Sequence, residues 1–118
     1  MKTHSWIARP ERLIVVTRRD LLPGYQSVQP GHALAKFAIK YPKVFRNWDK
    51  NIQNLVILAV KDEKELLQLI SKADDNKIKH TAFKEPDIGN ETTAVALEPS
   101  ELTYRLTSSF PKALKEYA

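Results

Sequence analysis

Cysteine is absent from the sequence, and histidine is rare. Without cysteine the chain has no disulfide bond, no thiolate metal site and no cysteine nucleophile. The three histidines, His4, His32 and His80, are far apart and form neither an HxxxH nor an HExxH pair. A histidine-rich metal site is therefore disfavoured, and we expect the protein to bind no metal.

Long apolar runs are also absent. No stretch approaches the ~20 apolar residues that cross a bilayer. The N-terminal segment MKTHSWIARPER lacks the apolar stretch of a secretion signal. We therefore predict a cytoplasmic protein without a membrane partner.

Several motifs that depend on glycine are missing as well. The three glycines form neither GxGxxG nor the GxxxxGK[ST] loop that cradles nucleotide phosphates. An enzyme with a nucleotide cofactor is therefore disfavoured, and we expect no organic cofactor. The GxSxG motif, which carries the nucleophile of α/β-hydrolases, is also absent, and this argues against that class of enzyme.

What the chain does contain is a mild excess of positive charge. Its 118 residues fit a single domain, residues 1–118, with a core of ordinary size. The net charge of +5 favours an anionic partner, nucleic acid above all. The alternative, a solvated surface with surplus lysine, stays open on composition alone.

Hydrophobic periodicity predicts four strands and three helices in the order β-α-β-α-β-β-α. The predicted strands cover 13–17, 54–60, 78–83 and 92–97. Ser27 is a candidate cap of the first helix, Asp62 caps the second with Glu65 as its capping-box partner, and Pro99-Ser100 opens the third. Pro23-Gly24 is typical of a turn, which places Pro30 in the first turn of the first helix. Helices between the first three strands indicate parallel crossovers, and the short loop before the fourth indicates an antiparallel pair. We therefore predict an α/β fold, a three-layer α/β/α sandwich with a mixed four-stranded sheet.

Basic and aromatic residues interleave in segment 43–53, which we predict to be irregular or a short helical turn. The segment contains Lys43, Phe45, Arg46, Trp48 and Lys50. Such a mixture is able to stack on and screen nucleic acid. The alternative, and the commoner use of such residues, is that the two aromatic rings cover an edge of the core.

Charged side chains follow two of the predicted strands. Arg18, Arg19 and Asp20 come directly after the first strand, and the loop after the third strand contains Asp87. Sites in parallel sheets gather beyond the carboxyl ends of the strands. If the first and third strands are parallel, Asp87 is therefore expected to approach Asp20, Arg19 and His32.

Each of the acid–base and polar candidates also has a purely structural explanation. Asp20 is able to brace its own loop, and Asp87 to build a turn. The imidazole of His32 is able to bond a backbone carbonyl. Gln29 shares a helix face with His32 but is equally compatible with solvent, and Thr93 suits a strand by its β propensity alone.

Taken together, these residues resemble a known family. The first half of the chain contains Arg19-Asp20-Leu21, then Gly24, then Gln29-x-x-His32-Ala33. This resembles the signature of the type 2, archaeal and eukaryotic, peptidyl-tRNA hydrolases, an R-x-D-L-like opening followed by G-K-x-x-x-Q-x-x-H-A. The segments KDEKELLQLISKA and EPDIGNETTAVALEP are similar to the family's second helix and to its D-x-G loop with the following strand. The resemblance runs from about Leu13 to Pro99.

The resemblance implies a hydrolase that uses activated water to cleave the ester of peptidyl-tRNA, or a related aminoacyl-tRNA ester. With the residue pattern, it suggests catalytic roles for Asp87, His32, Thr93 and Asp20, and substrate-binding roles for Arg18, Arg19, Tyr25, Gln29 and Asn90. It also implies tRNA as the partner and pairing into a homodimer. Tyr25 stands where the family has a lysine, so the alternative is a catalytically inactive module of the same fold that binds tRNA or a protein.

Overall fold

The computed structural model describes residues 12–51 and 53–115. Four strands form the centre of the fold: β1 (Leu13–Arg18), β2 (Leu55–Val60), β3 (His80–Glu85) and β4 (Glu91–Leu97). Four helices surround them: α1 (Pro23–Lys40), α2 (Pro42–Lys50), α3 (Glu63–Asp75) and α4 (Glu101–Thr107). A short 3₁₀ turn, Pro86–Ile88, joins β3 to β4. The N-terminal segment considered for a secretion signal lies outside the described residues, apart from Arg12.

The four strands form one mixed sheet in the order β2-β1-β4-β3. β1 and β2 are parallel, and β4 is antiparallel to both of its neighbours, β1 and β3. β3 therefore runs in the same direction as β1 and β2. The predicted mixed sheet, with parallel crossovers and one antiparallel hairpin, is confirmed.

Helices cover both faces of this sheet. On one face, alternate β1 residues Leu13 and Val15 pack in a cluster with Ala33 and Phe37 of α1 and with partly buried side chains of α2. On the other face, the intervening β1 residues pack in a second cluster with α3 and α4; it includes Ile14, Val16, Leu66 and Leu69. Because β1 is buried on both sides, its sequence is continuously apolar. The three-layer α/β/α sandwich is thus confirmed.

The ends of α3 follow local rules of helix capping. The Asp62 side chain accepts a hydrogen bond from the Glu65 N–H at 3.0 Å, and the Glu65 carboxylate accepts one from the Lys61 N–H at 2.7 Å. This confirms the predicted cap at Asp62, while Glu65 bonds the N–H of Lys61 and not that of Asp62, which a capping box would use. At the other end Lys77 has a φ of 57°, and the Ile78 N–H returns to the Ala73 carbonyl at 2.9 Å. This Schellman arrangement ends the helix.

Two helical predictions were wrong at their boundaries. Pro23-Gly24 was predicted to form a turn before α1, but it begins the helix itself. Proline is tolerated there because the first helical residue donates no intrahelical hydrogen bond. Ser27 therefore lies inside the helix, and Pro30 lies in its interior and not in the first turn. Segment 43–53 is mostly helix α2, whose Phe45 and Trp48 are half-buried against the core, as the structural alternative proposed.

The C-terminal segment extends the sheet beyond β2. The Ala59 N–H donates to the Pro111 carbonyl and the Ala113 N–H donates to the Ile57 carbonyl, each at 2.9 Å. Lys112 therefore forms an antiparallel bridge with Leu58. In the described ranges, no helix is long and apolar enough to span a membrane.

Candidate active site

The carboxyl ends of β1, β2 and β3 meet at one edge of the sheet, because these three strands share a direction. The loop after β1, the 3₁₀ turn after β3 and the beginning of β4 all lie at this edge. So does the N-terminal half of α1, which follows β1. The topology therefore collects polar side chains from four segments that are far apart in sequence.

A chain of hydrogen bonds runs through the buried part of this edge. The Thr93 hydroxyl donates to Gln29 Oε1 at 2.6 Å, and Gln29 Nε2 donates to Glu85 Oε1 at 2.9 Å. The second oxygen of Glu85 accepts the backbone N–H of Asp87 at 3.1 Å. Gln29 is 1% exposed and Thr93 is fully buried. The turn that carries Asp87 is thereby tied through α1 to the central part of the sheet.

A β-bulge directs Thr93 into this chain. Phe83 pairs with Ala94 and Lys84 pairs with Thr92, so Thr93 is the extra residue on β4. Ala94 packs with α1 side chains, and strict alternation would turn Thr93 to the opposite face. The bulge breaks the alternation and brings the Thr93 hydroxyl to Gln29 on the α1 side.

Glu85 is the residue at this edge that the sequence analysis did not identify. It is 9% exposed, and its pKa is lowered from the ordinary value of 4.5, first by the Gln29 hydrogen bond, then by the Asp87 N–H. Burial opposes this effect, and the nearby His32 adds to it. Glu85 is therefore a carboxylate at neutral pH, placed beneath the turn that presents Asp87.

His32 and Asp87 supply exposed acid–base groups above Glu85. The His32 ring stacks on Phe83, with centroids 4.3 Å apart and planes 9° from parallel. Asp87 is exposed in the 3₁₀ turn, and Asn90 closes that turn with a φ of 61° and an N–H bonded to the Glu85 carbonyl. The structure thus brings together Gln29, His32, Asp87 and Thr93 around one buried carboxylate.

Arg18 and Asp20 bind each other at the end of β1. Two parallel hydrogen bonds of 3.0 and 2.9 Å join the Arg18 guanidinium to the Asp20 carboxylate. A third nitrogen of Arg18 bonds Glu91 at 2.8 Å and the Thr92 carbonyl at 3.1 Å. These contacts, led by Asp20, raise the pKa of Arg18 above its ordinary value. The bracing alternative for Asp20 therefore matches its contacts, and Arg18 is engaged within the protein.

Arg19 lies toward the β2 side of the edge, where its N–H bonds the Val60 carbonyl at 2.9 Å. Arg19 is exposed and lines two shallow grooves of about 330 and 370 Å³, one toward α3 and α4 and the other toward the start of α1. Tyr25 is half-buried in the first turn of α1. Within residues 12–51 and 53–115, no three histidine or carboxylate side chains gather as a metal would require.

Comparison with protein-family models matches residues 12–113 to the family described as Peptidyl-tRNA hydrolase PTH2. The match covers most of the chain. The chain belongs to the PTH2 peptidyl-tRNA hydrolase family. No curated protein matches it closely enough to count as a relative.

Glu85 begins the segment EPDIGNETTAVALEP, but the sequence pattern gave it no role in the candidate site. The predicted third strand ends at Phe83, and this places Lys84 and Glu85 in a loop that faces solvent. With β3 extended to Glu85, a period of two places Thr81, Phe83 and Glu85 on the α1 face. The missing signal was therefore the end of the strand and not the type of residue.

Proposed function

We propose that this PTH2-family chain hydrolyses the ester that joins a peptide to the 3′ ribose of tRNA, or a related aminoacyl-tRNA ester. One observation carries the proposal: exposed Asp87 and His32 flank buried Glu85, which Gln29 and Thr93 hold in place. The family match supports a hydrolase over the inactive module.

Asp87 acts as the general base in this proposal. Its carboxylate accepts a proton from water while the water oxygen bonds to the ester carbonyl carbon. The bond from that carbon to the ribose oxygen then breaks, and the leaving oxygen takes the proton from Asp87, either directly or relayed through the His32 imidazole. Asn90, on the same turn, donates from its side-chain amide to the carbonyl oxygen as negative charge develops there.

Thr93, Gln29 and Glu85 act as positioning residues and not by touching the substrate. The Thr93 hydroxyl is buried and already donates to Gln29, which supports this assignment. Arg18 and Asp20 likewise brace the end of β1 against β4. We assign substrate contacts to Arg19, which is exposed and cationic, and to Tyr25, whose ring offers a stacking surface for a terminal base.

We further propose that the chain works as a single domain in the cytoplasm, with tRNA as its partner. The two hydrophobic clusters that share one sheet support a single domain. The homodimer expected from the family resemblance is tested by light scattering coupled to size-exclusion chromatography. A measured mass equal to that of one chain across the working concentration range would overturn the homodimer.

The activity is tested by release of labelled peptide from peptidyl-tRNA. Asp87→Asn is expected to lower kcat at least a hundredfold, because a positioned general base typically contributes about 10²–10⁴-fold. The matched control is Asp75→Asn, since Asp75 is also exposed but lies at the end of α3. Absence of turnover by the unaltered protein, or full activity of Asp87→Asn, would overturn the proposal.

A further inference from the structure

The two helical layers of the sandwich differ in charge. α1 and α2 carry a single carboxylate, Asp49, against five basic side chains. These five form what we call the cationic face: Lys36, Lys40, Lys43, Arg46 and Lys50. α3 and α4 carry three basic side chains against five carboxylates: Glu63, Glu65, Asp74, Asp75 and Glu101. The helices on one face of the sheet are therefore mainly positive, and those on the other face are mainly negative.

The basic side chains of the cationic face are exposed and have no acidic partners. In the described part of the chain, every ion pair involves other residues. Lys40 faces the Tyr41 ring, 5.4 Å from its centroid, and Asp49 accepts a hydrogen bond from Gln53. Arg105, on the opposite layer, pairs with Glu101. Cations that are not neutralised within the protein create a positive potential on this layer.

Folding does not account for the positive charges of Lys43 and Arg46 on α2. Lys43, Arg46 and Lys50 recur three and four residues apart, so they share the outer stripe of the helix, while Phe45 and Trp48 pack inward. Lys43 lies in the first turn of α2, where the helix dipole disfavours a cation, whereas Lys50 lies in the last turn, where the dipole favours one. Lys43 and Arg46 therefore contribute little to stability, and an anionic partner is the natural ligand for them.

We propose that the cationic face binds phosphates of the tRNA body while the 3′ end occupies the site around Asp87. This inference rests on the proposed function and specifies where its substrate docks. α1 connects the two places, because Gln29 lies at the site and Lys40 ends the helix. At a rise of about 1.5 Å per residue, Lys40 lies roughly 17 Å along α1 from Gln29. The face therefore contacts duplex phosphates well away from the reacting ester, through shape and charge and not through base sequence.

The test compares two double variants with the same change in charge. Lys43→Gln/Arg46→Gln removes two cations from the cationic face, and Lys64→Gln/Lys77→Gln removes two exposed cations from α3 and its C-terminal end. Binding of deacylated tRNA is measured across a range of salt concentrations. For the first variant, we expect roughly tenfold weaker binding at low salt, and a slope of log K against log salt reduced by about 1.5. The second variant is expected to bind like the unaltered protein.

Turnover of two substrates separates docking from chemistry. With peptidyl-tRNA, Lys43→Gln/Arg46→Gln is expected to raise KM about tenfold and leave kcat unchanged. With an N-acylated aminoacyl ester of the trinucleotide CCA, which lacks the tRNA body, both constants are expected to stay unchanged. Thermal unfolding confirms that each variant is folded, and Lys36→Gln/Lys40→Gln provides an independent variant with the same expected result.

The outcomes distinguish this inference from the proposed function. Equal loss of tRNA binding in both double variants, or no loss in either, would overturn docking on the cationic face even if hydrolysis is observed. A selective loss of binding in a protein that hydrolyses neither ester would support the docking surface and overturn the esterase.

Discussion

Thr93→Val tests the claim that a buried chain of hydrogen bonds controls the position of Asp87. The substitution keeps the shape of the side chain and its β propensity but removes the hydroxyl. Gln29 Oε1 then loses its 2.6 Å hydrogen bond in a side chain that is 1% exposed. Because water cannot replace the lost donor there, the amide is left with an unsatisfied oxygen or must rotate away from Glu85.

The expected loss of stability follows from that orphaned oxygen. A buried polar atom without a partner costs about 1–3 kcal/mol. For a domain of this size the corresponding fall in Tm is roughly 4–12 °C. If Gln29 rotates, Glu85 loses its strongest hydrogen bond and the Asp87 turn loses its anchor. A displacement of the general base of about 1 Å is enough to lower kcat roughly ten- to a hundredfold.

Thr81→Val is the matched control for this prediction. Thr81 is also a buried β-strand threonine, and its hydroxyl donates to the Ala33 carbonyl of α1 at 2.9 Å. It has no connection to Glu85 or Asp87 through the hydrogen bonds described above. Both variants are compared by thermal unfolding and by peptidyl-tRNA turnover below their Tm. We expect Thr81→Val to lower stability alone and Thr93→Val to lower both; full kcat in Thr93→Val would refute the positioning role.

Two further substitutions address the electrostatics of the same edge. Glu85 contributes stability above the ordinary glutamate pKa of 4.5, and this contribution disappears as the pH falls through its lowered pKa. Glu85→Gln is therefore expected to lower Tm at pH 7 and to converge with the unaltered protein in acid; a constant difference down to pH 2 would contradict this linkage. Arg18→Leu leaves Asp20 and Glu91 unpaired and is expected to cost about 2–4 kcal/mol in urea unfolding, less than a fully buried pair because both carboxylates are over 40% exposed. A cost near zero would show that the brace contributes nothing.

Much of the fold could be predicted because it depends on local pattern. The apolar runs at β1, β2 and β4 gave the right strands to within one residue, since burial on both faces leaves an unbroken signal. Asp62 identified the start of α3 because its short carboxylate is able to accept the N–H of the third helical residue, Glu65. From the order of elements, the helical connections then indicated parallel strands and the short loop indicated the antiparallel pair.

The boundaries that failed depend on context and not on residue type. Pro23-Gly24 suits both a turn and the first turn of a helix, and only the packing of the chain after it decides between them. Ile78 looks like a strand residue, but it is the apolar residue that follows the Schellman end of α3. This displacement moved the predicted β3 two residues toward the N-terminus.

The same displacement hid the central residue of the candidate site. A strand that stops at Phe83 leaves Glu85 in a loop, where a glutamate is expected to face solvent. The β-bulge at Thr93 could not be predicted either, because one extra residue in a strand does not change the hydrophobic pattern of the sequence. Gln29, His32, Asp87 and Thr93 could thus be named as candidates from the sequence, while Glu85, which the structure places among them, could not.

The pairing of the C-terminal segment with β2 has a consequence for self-association. The Ala59 N–H and the Ile57 carbonyl already form hydrogen bonds with the C-terminal segment. A strand from another molecule therefore cannot pair with the middle of β2. β3 forms the opposite margin of the sheet, and it leads directly into the turn that bears Asp87. If two copies paired through their β3 strands, the interface would lie beside both candidate sites. Dilution that separates the copies would then change turnover as well as molecular mass.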